Sequence, residues 1–276
     1  MKRLRIAAIS YLNTAPLLWD FEHGDVGSNF DISYTIPAQC AADLQAGRAD
    51  IGIIPTAACA AISGLVILPD VAIASRRAVR SILLVSKVPL EEVREVAVDS
   101  SSLTSVALLK VLFAKYWGGA REYTAMAPDV EGMLAENDAA LVIGDPALKV
   151  ERSRYVTYDL AEEWIRHTGK PFVFAFWALR RDALENAPPG LAVAFRDSRD
   201  HGLLPGSLDR IARDWAPRLA LTEREIRSYL TESIHYELDP ACVEGLQLFY
   251  RYASECGALP AAPTLSFLDA AKAAVI

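Results

Sequence analysis

The side chains with chemistry to offer fall in three short stretches. Ser100-Ser101-Ser102-Leu103-Thr104-Ser105 crowds hydroxyls in front of Val106 to Leu112, whose apolar spacing is helical. Ser102 is the expected N-cap, which leaves the amides of Leu103, Thr104 and Ser105 free. Free first-turn amides and the helix dipole favour a carboxylate without any arginine, each such contact being worth about 0.3–1 kcal/mol. A serine-rich turn that only caps its helix explains the same residues equally well. Ile9-Ser10-Tyr11-Leu12-Asn13-Thr14-Ala15-Pro16-Leu17 runs from an apolar strand into another helix start. There, Asn13 either aims its amide beyond the strand's carboxyl end or, like Thr14, caps the helix. In Gly144-Asp145-Pro146, Asp145 is the one carboxylate expected at a loop facing a cleft, and capping the next helix is its alternative role.

Positioning these stretches calls for an α/β frame. Leu4 to Ile9 reads as a buried strand, Ile32, Tyr34 and Ile36 alternate as a second, and Ala38 to Ala46 closes at Gly47 as a helix. Asp50-Ile51-Gly52-Ile53-Ile54-Pro55 follows as a buried strand, then Leu65 to Leu68 and Val79 to Ser86. A second round begins at Val96: a helix over 102–117, a strand near 121–124, a helix near 129–136 and the strand Ala139 to Ile143. Strand–helix alternation on this scale predicts parallel sheets, which bind ligands at the carboxyl ends of their strands. Asp159 to Gly169 reads as a helix and Pro171 to Leu179 as the returning strand, followed by helices near 189–201, 207–217, 222–232, 239–256 and 265–275. The expected division is lobe one over 1–86 plus 180–276 and lobe two over 87–179, with crossings near 85–89 and 174–180 forming a hinged cleft.

The chain has 276 residues, 52% of them hydrophobic, enough for two cores. A net charge of -7 argues against a nucleic-acid or anionic-membrane surface. The run after Met1-Lys2-Arg3 is too short for a secretory segment, and no stretch approaches the ~18 apolar residues of a spanning helix, so a cytoplasmic protein is expected. Cys40, Cys59, Cys242 and Cys256 are far apart and set among apolar residues, as small buried hydrophobes are, and the four histidines are equally scattered. Gly-x-Ser-x-Gly, Walker and dinucleotide motifs are absent from the sequence. Trp215 and Tyr229 are candidates for a homodimer surface, with core packing as the commoner explanation.

Taken together, the Tyr11-Leu12-Asn13-Thr14, Ile51-to-Pro55, Ser100-to-Ser105 and Gly144-to-Leu148 stretches and Thr168-Gly169-Lys170-Pro171-Phe172-Val173-Phe174-Ala175-Phe176-Trp177 resemble the chorismate dehydratase family of the futalosine route to menaquinone. The resemblance runs from the first strand to the C-terminal helices. It implies a two-lobed type II periplasmic-binding-protein-like α/β fold with a cleft between the lobes and extra C-terminal helices on lobe one. It also implies conversion of chorismate to 3-[(1-carboxyvinyl)oxy]benzoate with no metal or organic cofactor. By the same resemblance Asn13 is catalytic and lies against the reacting ring, while Ser81, Ser102, Thr104 and Ser105 hold carboxylates. The matched motifs add Tyr11, Thr14, Pro55 and Ser101 as substrate-binding positions, together with Gly144, Asp145, Phe172 and Val173. Arg77-Ala78 and Leu103 depart from the family pattern, which has Gly-Pro at the first place and often a basic residue at the second.

Because Asn, Ser and Thr are poor bases, the substrate's own enolpyruvyl carboxylate is the expected proton acceptor, with Asp145 as the conventional alternative. A lyase acting on cyclic dehypoxanthinyl futalosine and a solute-binding protein for a small carboxylate are the competing readings. The lyase family carries a Cys-Pro-Asn-Asp type motif at its N-terminus, and an exported receptor would need a signal peptide.

Overall fold

Strand β1 (Leu4–Ile9) is buried along nearly its whole length because it lies inside a sheet. A computed structural model describes residues 3–268 of the chain. β1 pairs in parallel with β2 (Phe30–Thr35) on one side and β3 (Ile51–Pro55) on the other. The Arg5 guanidinium grips the Asp50 carboxylate with two hydrogen bonds, at 3.0 and 2.6 Å, and fixes that second pairing at its entry. β4 (Leu65–Ser75) completes the first sheet with a strand from much later in the chain, β10 (Phe172–Arg180), in the order β2-β1-β3-β10-β4. The second sheet holds β5 (Ile82–Ser86), β6 (Glu95–Asp99), β7 (Glu122–Met126), β8 (Ala139–Ile143) and β9 (Val156–Asp159), in the order β7-β6-β8-β5-β9. Each sheet is parallel except for one inserted strand, β10 in the first and β5 in the second, antiparallel to both of its neighbours.

The crossings therefore differ from the expected ones. β5 was expected in lobe one but pairs in the second sheet, whereas β10 was expected largely in lobe two but belongs wholly to the first. The chain changes sheet over residues 76–81 and again between β9 and β10. At the first change Arg80 takes a left-handed conformation (φ 67°), so β5 starts at Ile82 and Ser81 sits in the turn ahead of it. The Asp159 carboxylate holds this turn, accepting the amides of Val79 (3.1 Å) and Arg80 (2.6 Å). It also caps the helix that follows β9 by accepting from Ala161 and Glu162.

Among the described residues, ten α-helices cover the sheets. In chain order they are α1 (Trp19–His23), α2 (Pro37–Gln45), α3 (Thr104–Leu112), α4 (Val130–Glu136), α5 (Gly144–Leu148), α6 (Leu160–Thr168), α7 (Leu191–Gly202), α8 (Pro205–Leu219), α9 (Glu223–Ser228) and α10 (Pro240–Glu255). A short 3-10 segment, Leu12–Leu18, replaces the expected first helix, and π turns extend α3 over Phe113–Trp117 and α9 over Tyr229–Ser233. Tyr229, proposed for a dimer surface, is 1% exposed in the core. Of the helix expected near 265–275, residues 265–268 are non-helical and bridge β4 through Ile67 and Phe267; the remainder lies outside the described residues. No helix among the described residues is long and apolar enough to cross a membrane.

α7 backs the segment that carries Asn13. Gly202, the last residue of α7, lies so close that a Cβ there would stand 2.1 Å from the Pro16 carbonyl oxygen and 2.6 Å from its Cα. Gly202→Ala should lower stability by about 1–3 kcal/mol, because backbone has to yield. The check is a urea melt whose midpoint falls while its slope is unchanged.

Candidate functional site

The carboxyl ends of both sheets converge on a cavity of about 50 Å3. The first sheet and its flanking segments contribute Ile9, Tyr11, Asn13, Thr14, Pro37, Pro55, Ile73, Phe174 and Ala175. The second contributes Ile82, the run Ser102 to Ser105, Ile143 and Gly144. The walls are mostly apolar, and Tyr11 is the only ionisable side chain among these lining residues. A wider groove of about 500 Å3 lies on the other side of Ile9, Tyr11 and Thr14, between α1 and α8, with Trp19, Tyr34, Trp215 and Arg218 in its walls. It mixes Glu22 and Asp214 with its arginine and is built from one sheet's elements alone, so the smaller cavity is the candidate site.

At that cavity α3 presents an open N-terminus. Its first residue is Thr104, and Leu103, not Ser102, holds the capping position, without a side-chain bond to the helix. Ser102 is displaced from that role because Asp99 organises the turn before it. The buried Asp99 carboxylate accepts the Ser101 amide (2.9 Å) and hydroxyl (2.6 Å), and reaches across to the Ile143 amide of β8 (3.3 Å). As a result the amides of Thr104 and Ser105 find no acceptor in the preceding turn, and the Ser102 hydroxyl is buried with no partner. An unpartnered buried hydroxyl beside helix amides that lack an acceptor is an arrangement suited to holding an anion.

Other expected contacts hold the cleft shut. The Thr104 hydroxyl accepts the Ala57 amide (3.0 Å) and donates to the Phe174 carbonyl (3.1 Å), pinning α3 to the first sheet. The Asp145 carboxylate accepts the Leu12 amide (3.0 Å) and does not cap its own helix. Ser101 takes the Ala38 amide on its carbonyl (3.2 Å), and its hydroxyl, whose proton goes to Asp99, stands 3.3 Å from the Tyr11 phenol. The Tyr11 ring lies on Gly144, where a Cβ would be 2.6 Å from the ring and where φ is 62°, so only glycine allows this contact. The Thr14 hydroxyl stays inside its own segment, bonded to the carbonyls of Ile9 and Tyr11.

Of the positions expected to bind substrate, Tyr11, Asn13, Thr14, Pro55, Ser102, Thr104, Ser105 and Gly144 border the cavity. Ser101 and Asp145 stand behind it as cross-sheet contacts. Phe172 and Val173 lie too far back along β10, where both are buried in the core, and Phe174 and Ala175 take their place. Ser81 is also behind the wall, its hydroxyl accepting from the Tyr229 phenol at 2.9 Å. Leu103, at the departure from the family pattern, is 38% exposed at the rim. Sequence reasoning missed Tyr229 and Asp99. Nothing in the sequence marks Tyr229, whereas Asp99, two residues before Ser101, carries the signature of an Asx turn.

His235, Asp239 and Cys242 also come together, their ligand atoms within 4.8 Å of one another. The Arg76 guanidinium already stands at that carboxylate (2.5 Å), and Asp239 caps α10 and bonds His235, so the cluster is an ion-paired helix cap.

A family model described as menaquinone biosynthesis matches residues 4–255. The chain belongs to that family. A chorismate dehydratase of Thermus thermophilus is 31% identical over 272 residues, spanning 92% of this chain and 94% of the relative. Among solved structures, an Archaeoglobus fulgidus protein superposes with a TM-score of 0.73 at 17% identity, over 92% of this chain and 98% of that one. The periplasmic aliphatic sulphonate-binding protein of Escherichia coli does so with 0.65 at 18% identity, over 98% and 94%. These likenesses establish the two-lobed periplasmic-binding-protein-like fold, and the family match bears out the resemblance carried by the loop motifs.

Burial raises the Asp145 carboxyl to about 6 from 3.8, against the opposing pull of the Leu12 amide and Lys149. Below about pH 4 the group is protonated in folded and unfolded chains alike, and its burial costs little. As pH rises through about 6 the folded chain must ionise it in a desolvated place, so stability is lost. Asp145→Asn keeps an oxygen for the Leu12 amide and removes that titration. The variant should gain on the wild type between pH 4 and pH 7, by at most about 3 kcal/mol. Denaturant melts across this range check it; parallel pH profiles for the two proteins would contradict it.

Proposed function

We propose that this chain is a chorismate dehydratase, removing water from chorismate to give 3-[(1-carboxyvinyl)oxy]benzoate. The observation that carries the reading is the two-sided cavity: the unpartnered Ser102 hydroxyl and the free backbone amides of Thr104 and Ser105 on one wall, the Asn13 carboxamide on the other, and no carboxylate, lysine or histidine lining it. The 31% identity to the Thermus enzyme supports it.

Chorismate brings what this cavity lacks. Its ring carboxylate fits the start of α3, where a charged acceptor would satisfy the free amides and the Ser102 hydroxyl. Loss of the C3 proton sends charge through the conjugated C1–C2 double bond onto that same carboxylate. The α3 donors then act as a preformed oxyanion site. The substrate's enolpyruvyl carboxylate takes the proton, the C4–oxygen bond breaks, and proton and hydroxide leave as water while the ring becomes aromatic. Asn13 hydrogen-bonds the departing hydroxyl. Holding the internal base against C3 in a closed, dry cleft supplies the proximity, a term worth up to ~7–11 kcal/mol.

A cavity of about 50 Å3 is the closed cleft, and substrate enters when the contacts from Leu12, Ala38, Ala57 and Tyr11 to the second sheet part. Asp145 is spent on Leu12 and is absent from the lining, which argues against its being the base.

Purified protein incubated with chorismate should give a product lighter by one water in mass spectrometry. Asn13→Ala should cut turnover by about 10²–10³-fold. Ser102→Ala should raise KM by about tenfold or more, as befits one lost bond to a charged group. Asp145→Asn should keep turnover within about tenfold of wild type, whereas a general base would lose about 10²–10⁴-fold. Chorismate that binds and is recovered unchanged would leave the chain a binding protein.

A further inference from the structure

We propose that Asp99 is a positioning residue for the carboxylate site: its buried side chain, bonded to Ser101 and Ile143, keeps Ser102 from capping α3 and so holds the first-turn donors open for a ligand. The proposal rests on the dehydratase reading above for that ligand, and it gives a role in binding to a side chain that does not reach the cavity.

The preferences of a helix start favour a different arrangement from the one present. Serine is among the best N-caps and leucine among the worst, yet Leu103 holds the capping place and Ser102 stands one residue outside it. A serine in the capping place turns its hydroxyl onto the amides of the first helical turn and satisfies one of them. That would fill from within the place a ligand carboxylate is to take. Here the Ser102 side chain is 7% exposed, borders the cavity and has no hydrogen-bond partner among the described residues. The turn is therefore held one residue out of its preferred phase by something outside the helix.

Asp99 is placed to hold it. It ends β6 with no exposed surface, just past the last β6–β8 pair, Val98 with Leu141. There one carboxylate oxygen takes the Ile143 amide at 3.3 Å and extends the junction of the two strands, while the other takes the amide and hydroxyl of Ser101 at 2.9 and 2.6 Å. The Asp99 carbonyl accepts the Ser102 amide at 2.9 Å, and the Ser101 carbonyl accepts the Ala38 amide at 3.2 Å, so the peptide group leading into Ser102 is fixed at both ends. For Ser102 to move into the capping place that group has to turn, and both bonds are lost. The same carboxylate reaches the opposite wall. The Ser101 hydroxyl spends its one proton on Asp99, so toward the Tyr11 phenol, 3.3 Å away, it accepts. Asp99 thus ties together three residues of the lining, Ser102, Ile143 and Tyr11, from behind.

The test is a double-mutant cycle of wild type, Asp99→Asn, Ser102→Ala and Asp99→Asn/Ser102→Ala. For each protein, calorimetry measures binding of 3-[(1-carboxyvinyl)oxy]benzoate, steady-state assays measure chorismate dehydration, and thermal melts check the fold. Asparagine keeps the shape of the side chain but has one accepting oxygen, so its NH2 group must face either the Ser101 donors or the Ile143 amide. In Asp99→Asn the Kd for the product and the KM for chorismate should each rise about tenfold or more, as when a donor to a charged group is lost. Ser102→Ala weakens binding in the wild-type background. In the Asp99→Asn background it should leave binding unchanged or improve it, because there the Ser102 hydroxyl occupies the helix start itself. Should Asp99→Asn fold poorly, Ser101→Ala, which keeps the amide bond and removes the hydroxyl one, takes its place in the cycle with the same signs expected. An unchanged Kd in Asp99→Asn, a loss confined to kcat or to the melting temperature, or a Ser102→Ala penalty of equal size in both backgrounds overturns the proposal alone. A wild type that binds the product yet leaves chorismate intact overturns the dehydratase reading, and the Kd cycle then decides the role of Asp99 by itself. A wild type that binds neither overturns both.

Discussion

Backbone amides at the carboxyl ends of one sheet are satisfied by groups from the other, and the cleft depends on this. Leu12 stands at the start of the 3-10 segment, Ala38 in the first turn of α2 and Ala57 just past β3, where the regular ladders have run out and an N–H has no partner close by. Their acceptors are Asp145, the Ser101 carbonyl and Thr104, all on the second sheet's side. A buried amide without an acceptor is expensive, so the two sheets are driven to meet in one register. The amides left over are those of α3 itself. Closure satisfies the first sheet's orphans and leaves the second sheet's pointing into the cavity.

That asymmetry explains why so few ionisable groups surround the site. Asp99 is placed behind the wall, where the Ser101 amide and hydroxyl and the Ile143 amide neutralise its demands, and it shapes the turn without reaching the cavity. A carboxylate in the lining would repel an anionic ligand, and a lysine would grip it equally before and after reaction. Neutral donors fixed by the fold favour charge where it gathers, and the apolar walls of Ile9, Ile73, Ile82 and Ile143 keep water from weakening them.

The loops were legible in the sequence because they carry punctuation. Pro55, Gly144 and the serine run sit where an apolar strand stops, and each borders the cavity. The exchange of strands was not legible. β5 and β10 are buried on both faces, and an uninterrupted apolar run reads the same in either sheet and either direction. What decides their places is Arg80 in a left-handed turn and Asp159 gathering the amides ahead of β5, a contact between residues about eighty positions apart. Distance in sequence also hid Tyr229: one aromatic among helical residues has no signature until its helices bring the phenol to Ser81. Ser102 was misread for a local reason, since the competing hydrogen bonds of Asp99 close the turn first.

The choice of a carboxylate to hold Leu12 bears on how the cleft works. An amide side chain would accept the same N–H without the penalty of burying charge, and closure would then be stronger. Burial lifts the Asp145 carboxyl to about 6, which means that near neutral pH the closed form carries an ionised group it holds at a cost. The hydrogen bond and the burial oppose each other, so the latch adds little net drive to closure by itself. On the proposed reading, ligand contacts to α3 form with both walls in place and would tip a balance that Asp145 keeps close. A protein that must open after every turnover needs that closeness, because a cleft shut firmly without substrate would admit none and release no product.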